Sequence, residues 1–441
     1  MGNGISDAIK QAGVVGAGGA GFPTHVKAES RVDTVVANGS ECEPLLHSDQ
    51  ALMLEYPKEI VAGLEQMMQA TGASRGILAL KARYVEQVEA FRMLLSSHPD
   101  VTLAELGNFY PSGDEQSLVY ETTGRIVPEG GIPLNVGVVV DNVETLYNVH
   151  QAMKGIPVTE RTVTVVGEVR SPGVYRYPVG TTVADAIRMC GGTTVPDVAV
   201  IDGGPMMGRI GFGLAGVIRK TTSGLIVVPA DHPFVIRRTL PVNMELLRTV
   251  SMCCQCRECT DLCPRYQLGH DLEPHKVMRA VITRSENPPH QVTQAHICCQ
   301  CGICETIACP LGLSPRNVFA MVRRELAAKG VRNPHHRKPE QVRVAYAYTK
   351  LPKERALART GLSQYDGHSP YRGPVSGVRR VELLLSQHIG APAKPVVRQG
   401  AFVNRGEMVA APPDGVLSAA IHASISGRVT AVASDRIVIE G

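Results

Sequence analysis

The chain has 441 residues, enough for about three domains, with 44% apolar residues, 20% charged residues and a formal net charge of +4. That composition excludes a disordered or collagen-like chain, and so small a charge gives no reason to expect nucleic acid or an anionic membrane surface as partner. Trp is absent, which disfavours binding of single strands by aromatic stacking.

No basic, apolar leader opens the sequence, and no apolar run approaches the roughly 18–20 residues of a membrane span. A soluble protein in a reducing compartment is therefore expected.

Residues 1–157 read as α/β. A glycine-rich segment, Gly13 to Lys27, is followed by a short strand at 33–38. Ile60, Val61, Leu64, Met67 and Met68 then recur at helical spacing. A strand at 76–81 and a second amphipathic helix with Val85, Val88, Phe91 and Leu94 come next. Alternating helices and strands imply a largely parallel sheet with a site at its edge. Residues 158–238 change to strand-rich pieces around one short helix, the outline of a small β-grasp domain. Residues 239–330 hold the cysteines and read as helical between them, ending in a helix that Ser314 can cap and Pro315 can start. Residues 331–384 read as a solvated linker: between Val331 and Thr360 there are eight Lys or Arg against two Glu. A docking surface for an acidic partner is the alternative for this stretch. Residues 385–441 read as an all-β tail of short strands punctuated by Gly, the pattern of a barrel-sandwich hybrid. It lacks the modifiable Lys of biotinyl and lipoyl domains.

The cysteines carry the strongest signal, because ten of the twelve lie between Cys253 and Cys309. A disulfide framework would spread them through a small secreted chain. Two near-repeats stand out. Cys253, Cys256 and Cys259 are each separated by two residues, and Cys263-Pro264 follows. Cys298, Cys301 and Cys304 repeat the spacing, with Cys309-Pro310 after one extra residue. Tetrahedral zinc usually takes two separated pairs of ligands, which two runs of three do not supply. The pattern is that of a bacterial two-cluster ferredoxin, in which the last Cys of each run ligates the other cluster. Cys253, Cys256, Cys259 and Cys309 are thus assigned to one [4Fe–4S] cluster, and Cys298, Cys301, Cys304 and Cys263 to the other. The extra residue before Cys309 predicts a small bulge. Cys254 and Cys299 are expected to be buried thiols beside the clusters, and Cys42 and Cys190 packing residues.

Four further segments combine Gly, acids and amides beside apolar runs. They are GAGGAG (Gly16 to Gly21), NGSECEP (38–44), YPSGDEQSL (110–118) and DNVETLYN (141–148). Each alone is also an ordinary capped turn. A Gly-rich loop can cradle phosphate with backbone N–H groups, and Lys27 could add a charge.

The order of these four segments resembles the flavoprotein subunit of respiratory complex I, whose FMN fold carries GRGGAGFPT, NADESEP, Y-x-C-GEE and NNVET. The resemblance implies FMN contacts from Gly16, Gly18, Gly19, Lys27, Asn38, Ser40, Glu41, Tyr110, Gly113, Asp114, Glu115, Asp141, Asn142 and Thr145. It puts Glu43 and Glu115 toward the nicotinamide side, as the catalytic candidates. Asp114 and Asp141 stand where that family has Glu and Asn. The stretch after them differs, so no contacts to the NADH adenine carry over. Over the whole chain, an FMN fold, a β-grasp of the soluble-ligand-binding (SLBB) type, a two-cluster ferredoxin and a barrel-sandwich hybrid resemble two groups. These are the PduS-type cobalamin reductases and the RnfC-like proteins of Rnf electron-transport complexes. The C-terminal position of the barrel-sandwich segment is similar to the first group.

The resemblance implies an NADH-dependent flavo-iron–sulfur reductase with FMN and two [4Fe–4S] clusters. Hydride would reach the flavin and single electrons would leave through the clusters. It implies cobalamin, or a cobalamin-handling protein, as acceptor. It also implies a cytoplasmic location inside a bacterial microcompartment, with a shell protein or an adenosyltransferase as possible contacts. An Rnf-type exchange between NADH and ferredoxin is the alternative. A non-enzymatic electron-transfer protein is another.

Overall fold

The computed structural model describes residues 2–283 and 290–441. Its first unit is built on four parallel strands: β1 (Thr34–Gly39), β2 (Arg75–Lys81), β3 (Val101–Leu106) and, after the short β4 (Phe109–Tyr110), β5 (Val138–Asn142). Their order is β3-β2-β1-β5. Successive residues feed opposite faces. Val35, Ala37, Leu78 and Val139 enter one core, and Val36, Ile77, Ala79 and Val138 enter the other. A sheet buried on both faces needs near-continuous apolar strands, and TVVANG and RGILALK have them. Helices Pro57–Thr71 and Val143–Met153 cover one face, while Leu118 and Val119 of helix Glu115–Thr123 cover the other. β1 and β5 are in register with Asn38 opposite Asn142. Two motif segments distant in sequence thereby reach the same carboxyl edge of the sheet, where open α/β sheets bind ligands.

The second unit contains β6 (Glu160–Gly167), β7 (Gly173–Pro178), β8 (Val198–Asp202), β9 (Arg209–Phe212) and β10 (Gly224–Pro229). β6 and β7 form an antiparallel hairpin, and β10 runs parallel to β6. The short helix Val183–Met189 starts on Thr182, whose hydroxyl accepts from Asp185 N at 3.0 Å, a cap of the ordinary Ser/Thr kind. Its Ala186 and Ile187 pack into the core with the fully buried Cys190. Cys190 is therefore a packing residue, as expected.

The third unit is helical, with Val277, Met278, Val318, Phe319 and Val322 in its core. Ser314 accepts from Asn317 N at 3.3 Å and heads the helix Pro315–Ala328.

Residues 331–384, expected as a linker, run across the other units instead. The two-residue strand β11 (Leu351–Pro352) pairs with β4, and β12 (Tyr371–Pro374) adds an edge to the second sheet beside β7. The basic excess finds acids within the chain: Arg337 lies 2.9 Å from Glu129, and Lys350 lies 2.8 Å from Glu121. β13 (Arg380–Leu384) already belongs to the last unit, where it pairs with Arg436–Glu440. That unit is two small sheets around Val381, Leu383, Val409, Ile421 and Ile437. Among the described residues, no helix is long and apolar enough to cross a membrane.

Candidate flavin cleft and cluster cavities

A cleft of about 840 Å³ opens at the carboxyl edge of the first sheet. Of the residues expected there, Gly18, Gly19, Asn38, Glu41, Glu43, Gly113, Asp114, Glu115 and Asn142 line it. Gly16, Lys27, Ser40, Tyr110, Asp141 and Thr145 do not; they hold the lining in place. Thr145 Oγ1 accepts from Ala17 N at 2.9 Å and so pins the glycine loop to helix Val143–Met153. Ser40 and Ser112 share a 2.6 Å hydrogen bond between hydroxyls. Gly16 N donates to Phe22 O at 2.8 Å and closes the base of the loop. Lys27 Nζ donates to Val140 O at 2.6 Å and to Asp141 Oδ1 at 3.2 Å, with Glu115 at 3.8 Å. Burial works against the Lys27 ammonium, but the Asp141 and Glu115 carboxylates raise it, so it stays charged.

Several carboxylates in the cleft wall are already committed. Glu41 accepts from Ser48 Oγ at 2.9 Å and Asp49 N at 3.0 Å, at the start of helix Ser48–Glu55. Asp114 caps helix Glu115–Thr123, accepting from Ser117 N at 3.1 Å. It also receives both ends of the Arg265 guanidinium, at 2.6 and 2.8 Å. Glu43 accepts from the backbone N–H groups of Met206 and Met207 at 2.9 and 2.8 Å. These belong to the turn between β8 and β9, where a side chain at Gly204 would run into the Glu43 carboxylate. Burial pushes the Glu43 carboxyl up; the two N–H donors, Arg316 and Arg238 oppose it. Glu115 is the more open acid, its side chain half exposed, and desolvation raises it too.

Other residues of this site were not foreseen. Arg161 is buried; it donates to Ala17 O at 2.7 Å and to Thr222 O at 2.7 Å, and pairs with Glu144. Ser386, Gln387, His388 and Ile389 of the last unit also line the cleft. Ile389 N donates to Gly21 O at 3.0 Å. Cys42, expected as a packing residue, reaches the cleft wall, with its thiol pushed up to about 11 by burial.

The residues fit a flavin nucleotide. Gly18 and Gly19 let a planar ligand approach the backbone, and Gly113 lets the chain pack against Cys42 and Asn38. Gln116 Oε1, a buried acceptor in the cleft wall, has no hydrogen-bond partner among the described residues. The cleft's size is within the ordinary range for cofactor sites.

The eight expected cluster ligands fall into two cavities. Cys253, Cys256, Cys259 and Cys309 line the outer one. Cys263, Cys298, Cys301 and Cys304 line the other, which adjoins the cleft. Each cavity takes three of the expected ligands from one run and the last of the other, and Cys254 and Cys299 each add a fifth thiol to the lining. The two loops share one backbone path. Gln255 and Gln300 are left-handed at φ 57° and 60°, and so are Arg257 and Gly302 at 73° and 80°. Such turns aim side-chain and backbone N–H groups at the sulfurs: Gln255 Nε2 lies 3.2 Å from Cys253 Sγ, and Gln300 N lies 3.4 Å from Cys298 Sγ. The extra residue of the second run is absorbed as a π turn, Cys304–Ala308, closed by Cys309 N to Cys304 O at 3.2 Å. Single-residue insertions in helices commonly take this form. Burial, then the neighbouring Cys256, Cys309 and Cys253, pushes the Cys259 thiol up to about 12. Four thiols so placed need a cation cluster to be held as thiolates, and the donor set fits iron–sulfur. Cys299 is half-buried, as a thiol beside the cluster should be, but Cys254 is exposed, contrary to expectation. It lines the outer cavity beside Cys253 and Cys256, as Cys299 lines the other.

A nucleotide cleft in an α/β sheet beside cavities walled by cysteine defines a flavo-iron–sulfur oxidoreductase. Family comparisons agree unit by unit. Residues 9–151 match the Nuo51 FMN-binding domain, 162–210 the SLBB domain, 252–314 the 4Fe-4S dicluster domain and 373–440 the RnfC Barrel sandwich hybrid domain. Cobalamin reductase PduS of Citrobacter freundii is 41% identical over 436 residues, 99% of this chain and 96% of that one. Cobalamin reductase PduS of Salmonella typhimurium is likewise 41% identical, over 437 residues and the same shares. A component of the Na(+)-translocating ferredoxin:NAD(+) oxidoreductase complex of Acetobacterium woodii is 34% identical over 269 residues, 59% of this chain and 58% of that one. The chain belongs to the family of cobalamin reductase PduS.

Proposed function

We propose that this protein oxidises NADH and delivers the electrons through FMN and two [4Fe–4S] clusters to a corrinoid, cob(III)alamin or cob(II)alamin. The single observation that carries this reading is the nearly full-length identity to cobalamin reductases. The match to the ferredoxin:NAD(+) oxidoreductase component extends over a smaller share of the chain, so exchange with ferredoxin is the weaker reading. The family also supports a place in the cytoplasm within a microcompartment, with a shell protein or an adenosyltransferase as neighbour.

Bound FMN supplies the step between a two-electron hydride donor and one-electron clusters. The chain's own residues hold and shield the site. Gly18 and Gly19 give close approach, Asn38 and Asn142 offer amides, and Lys27 keeps a positive charge beneath the cleft. Glu43 fastens the turn between β8 and β9 over one side, and Glu115, half exposed beside Lys27, is the acid on the nicotinamide side. Arg265, Cys299 and Cys301 belong to the walls of both the cleft and the adjoining cavity. The outer cavity shares no lining residue with the cleft, and its Cys256 is exposed. This supports entry at the cleft, passage through the Cys263/Cys298/Cys301/Cys304 set and exit from the Cys253/Cys256/Cys259/Cys309 set.

Anaerobic NADH oxidation with cobalamin, ferredoxin and quinone offered separately tests the reading. Turnover with cobalamin alone is expected; turnover with ferredoxin and none with cobalamin would overturn it.

A further inference from the structure

The wall between the cleft and the adjoining cavity carries a buried ion pair between Asp114, expected as a flavin contact, and Arg265, which no expected ligand set includes. Arg265 follows Cys263-Pro264 directly and opens into both spaces. Its guanidinium meets the Asp114 carboxylate at both nitrogens, and the two side chains are 8% and 14% exposed. The pair also joins the first unit to the third, because Asp114 is fixed at the start of helix Glu115–Thr123.

We propose that the charges of Arg265 and Asp114 act in opposite directions on the reduction potential of the cluster in the cavity of Cys263, Cys298, Cys301 and Cys304, each holding the other in check. This rests on the cofactor reading above. Cluster potentials respond to nearby charge and to hydrogen bonds around the sulfurs. In a water-poor wall a unit charge acts strongly. As built, the two opposite charges offset one another in large part, so the potential depends on both being present. Each electron handed over oxidises the flavin by one and reduces the cluster by one. No bond at Arg265 or Asp114 forms or breaks.

The neutral pair makes an unusual demand: its two single replacements must act in opposite directions. Asp114→Asn leaves an uncompensated cation, which favours the reduced, more negative cluster. Arg265→Gln leaves an uncompensated anion, which disfavours it. Potentiometric EPR titration of the protein with FMN and both clusters in place reads this. Asp114→Asn is expected to favour reduction about tenfold or more, about 59 mV upward for a one-electron couple, and Arg265→Gln to shift it downward by a similar step. The double variant is expected to return toward the wild-type value. The other cluster, ligated by Cys253, Cys256, Cys259 and Cys309, serves as internal control and should move least. If either single variant loses its cluster, Arg265→Lys in place of Arg265→Gln retains the charge, and its potential is expected to stay near wild type. Shifts of the same sign, or no shift with intact clusters, would overturn the proposal. A wild type that binds no FMN or only one cluster would defeat the functional reading instead, which keeps the two failures apart.

Discussion

The hydroxyl of Tyr110 donates a 2.6 Å hydrogen bond to the backbone carbonyl of Cys301. Tyr110 lies at the end of β4, 1% exposed, and Cys301 sits at the centre of the second cysteine run. This bond ties the flavin unit to a cluster loop. Tyr110→Phe leaves that carbonyl without its donor, at a cost of about 1–3 kcal/mol. Chemical denaturation of the cofactor-loaded protein should show a drop of that size. An unchanged midpoint would mean that the bond adds nothing to the joint.

The crossed ligand sets give a second prediction. Cys309→Ser should impair the cluster held by Cys253, Cys256 and Cys259, and Cys263→Ser the one held by Cys298, Cys301 and Cys304. EPR of the reduced variants distinguishes the two signals. Loss of the Cys298-type signal in Cys309→Ser would show that each run ligates its own cluster.

Val140 O and Asp141 hold the Lys27 ammonium in place beneath the cleft. Lys27→Met should weaken FMN binding at least about tenfold, about 1.4 kcal/mol, and it leaves Asp141 buried without its ion pair. Adding Asp141→Asn removes that second burden, so the double variant should recover stability but not flavin affinity. Fluorescence titration with FMN, paired with denaturation curves, reads both. Recovery of flavin affinity in the double variant would assign Lys27 a purely structural part.

Lys220 gives a pH prediction. It is buried, donating to Gly13 O at 2.6 Å and Ala420 O at 2.8 Å, and burial pushes its ammonium down to about 7. The unfolded chain keeps its Lys220 proton up to the ordinary lysine range. Between about pH 7 and 10 the unfolded state therefore binds one proton more than the folded state, and stability rises with pH. Relative to Lys220→Met, the wild type should gain about 1.4 kcal/mol per pH unit across that window and nothing below about pH 7. Denaturation midpoints at about pH 6, 7, 8 and 9 check this. A constant difference across the upper three would contradict it.

Much of the site was legible because its signals are local. Two-residue cysteine spacing, a cap at Ser314 and the order of four short motifs survive in one dimension. The bulge before Cys309 could be foreseen because one extra residue must go somewhere, and a π turn accommodates it with little disturbance. What escaped was long-range. Arg265 reads as an ordinary surface Arg until the fold brings it against Asp114. Ser386 to Ile389 look like loop in a β tail until the last unit packs on the glycine loop. The basic stretch after Val331 looks like a solvated linker because its acids, Glu121 and Glu129, lie some two hundred residues away. Glu41 and Asp114 carry motif positions, yet their carboxylates are spent on helix starts and an ion pair, which spacing alone does not reveal.

If electrons enter at the cleft and leave by way of the clusters, the order of reduction is fixed. Rapid-mixing reduction by NADH under anaerobic conditions, with absorbance for the flavin and freeze-quenched EPR for the clusters, tests this most directly. Flavin bleaching is expected first, then the signal of the Cys263/Cys298/Cys301/Cys304 cluster, then that of the Cys253/Cys256/Cys259/Cys309 cluster, and reduction of added cob(III)alamin last. Cluster reduction by NADH in protein that holds both clusters but no FMN would contradict it.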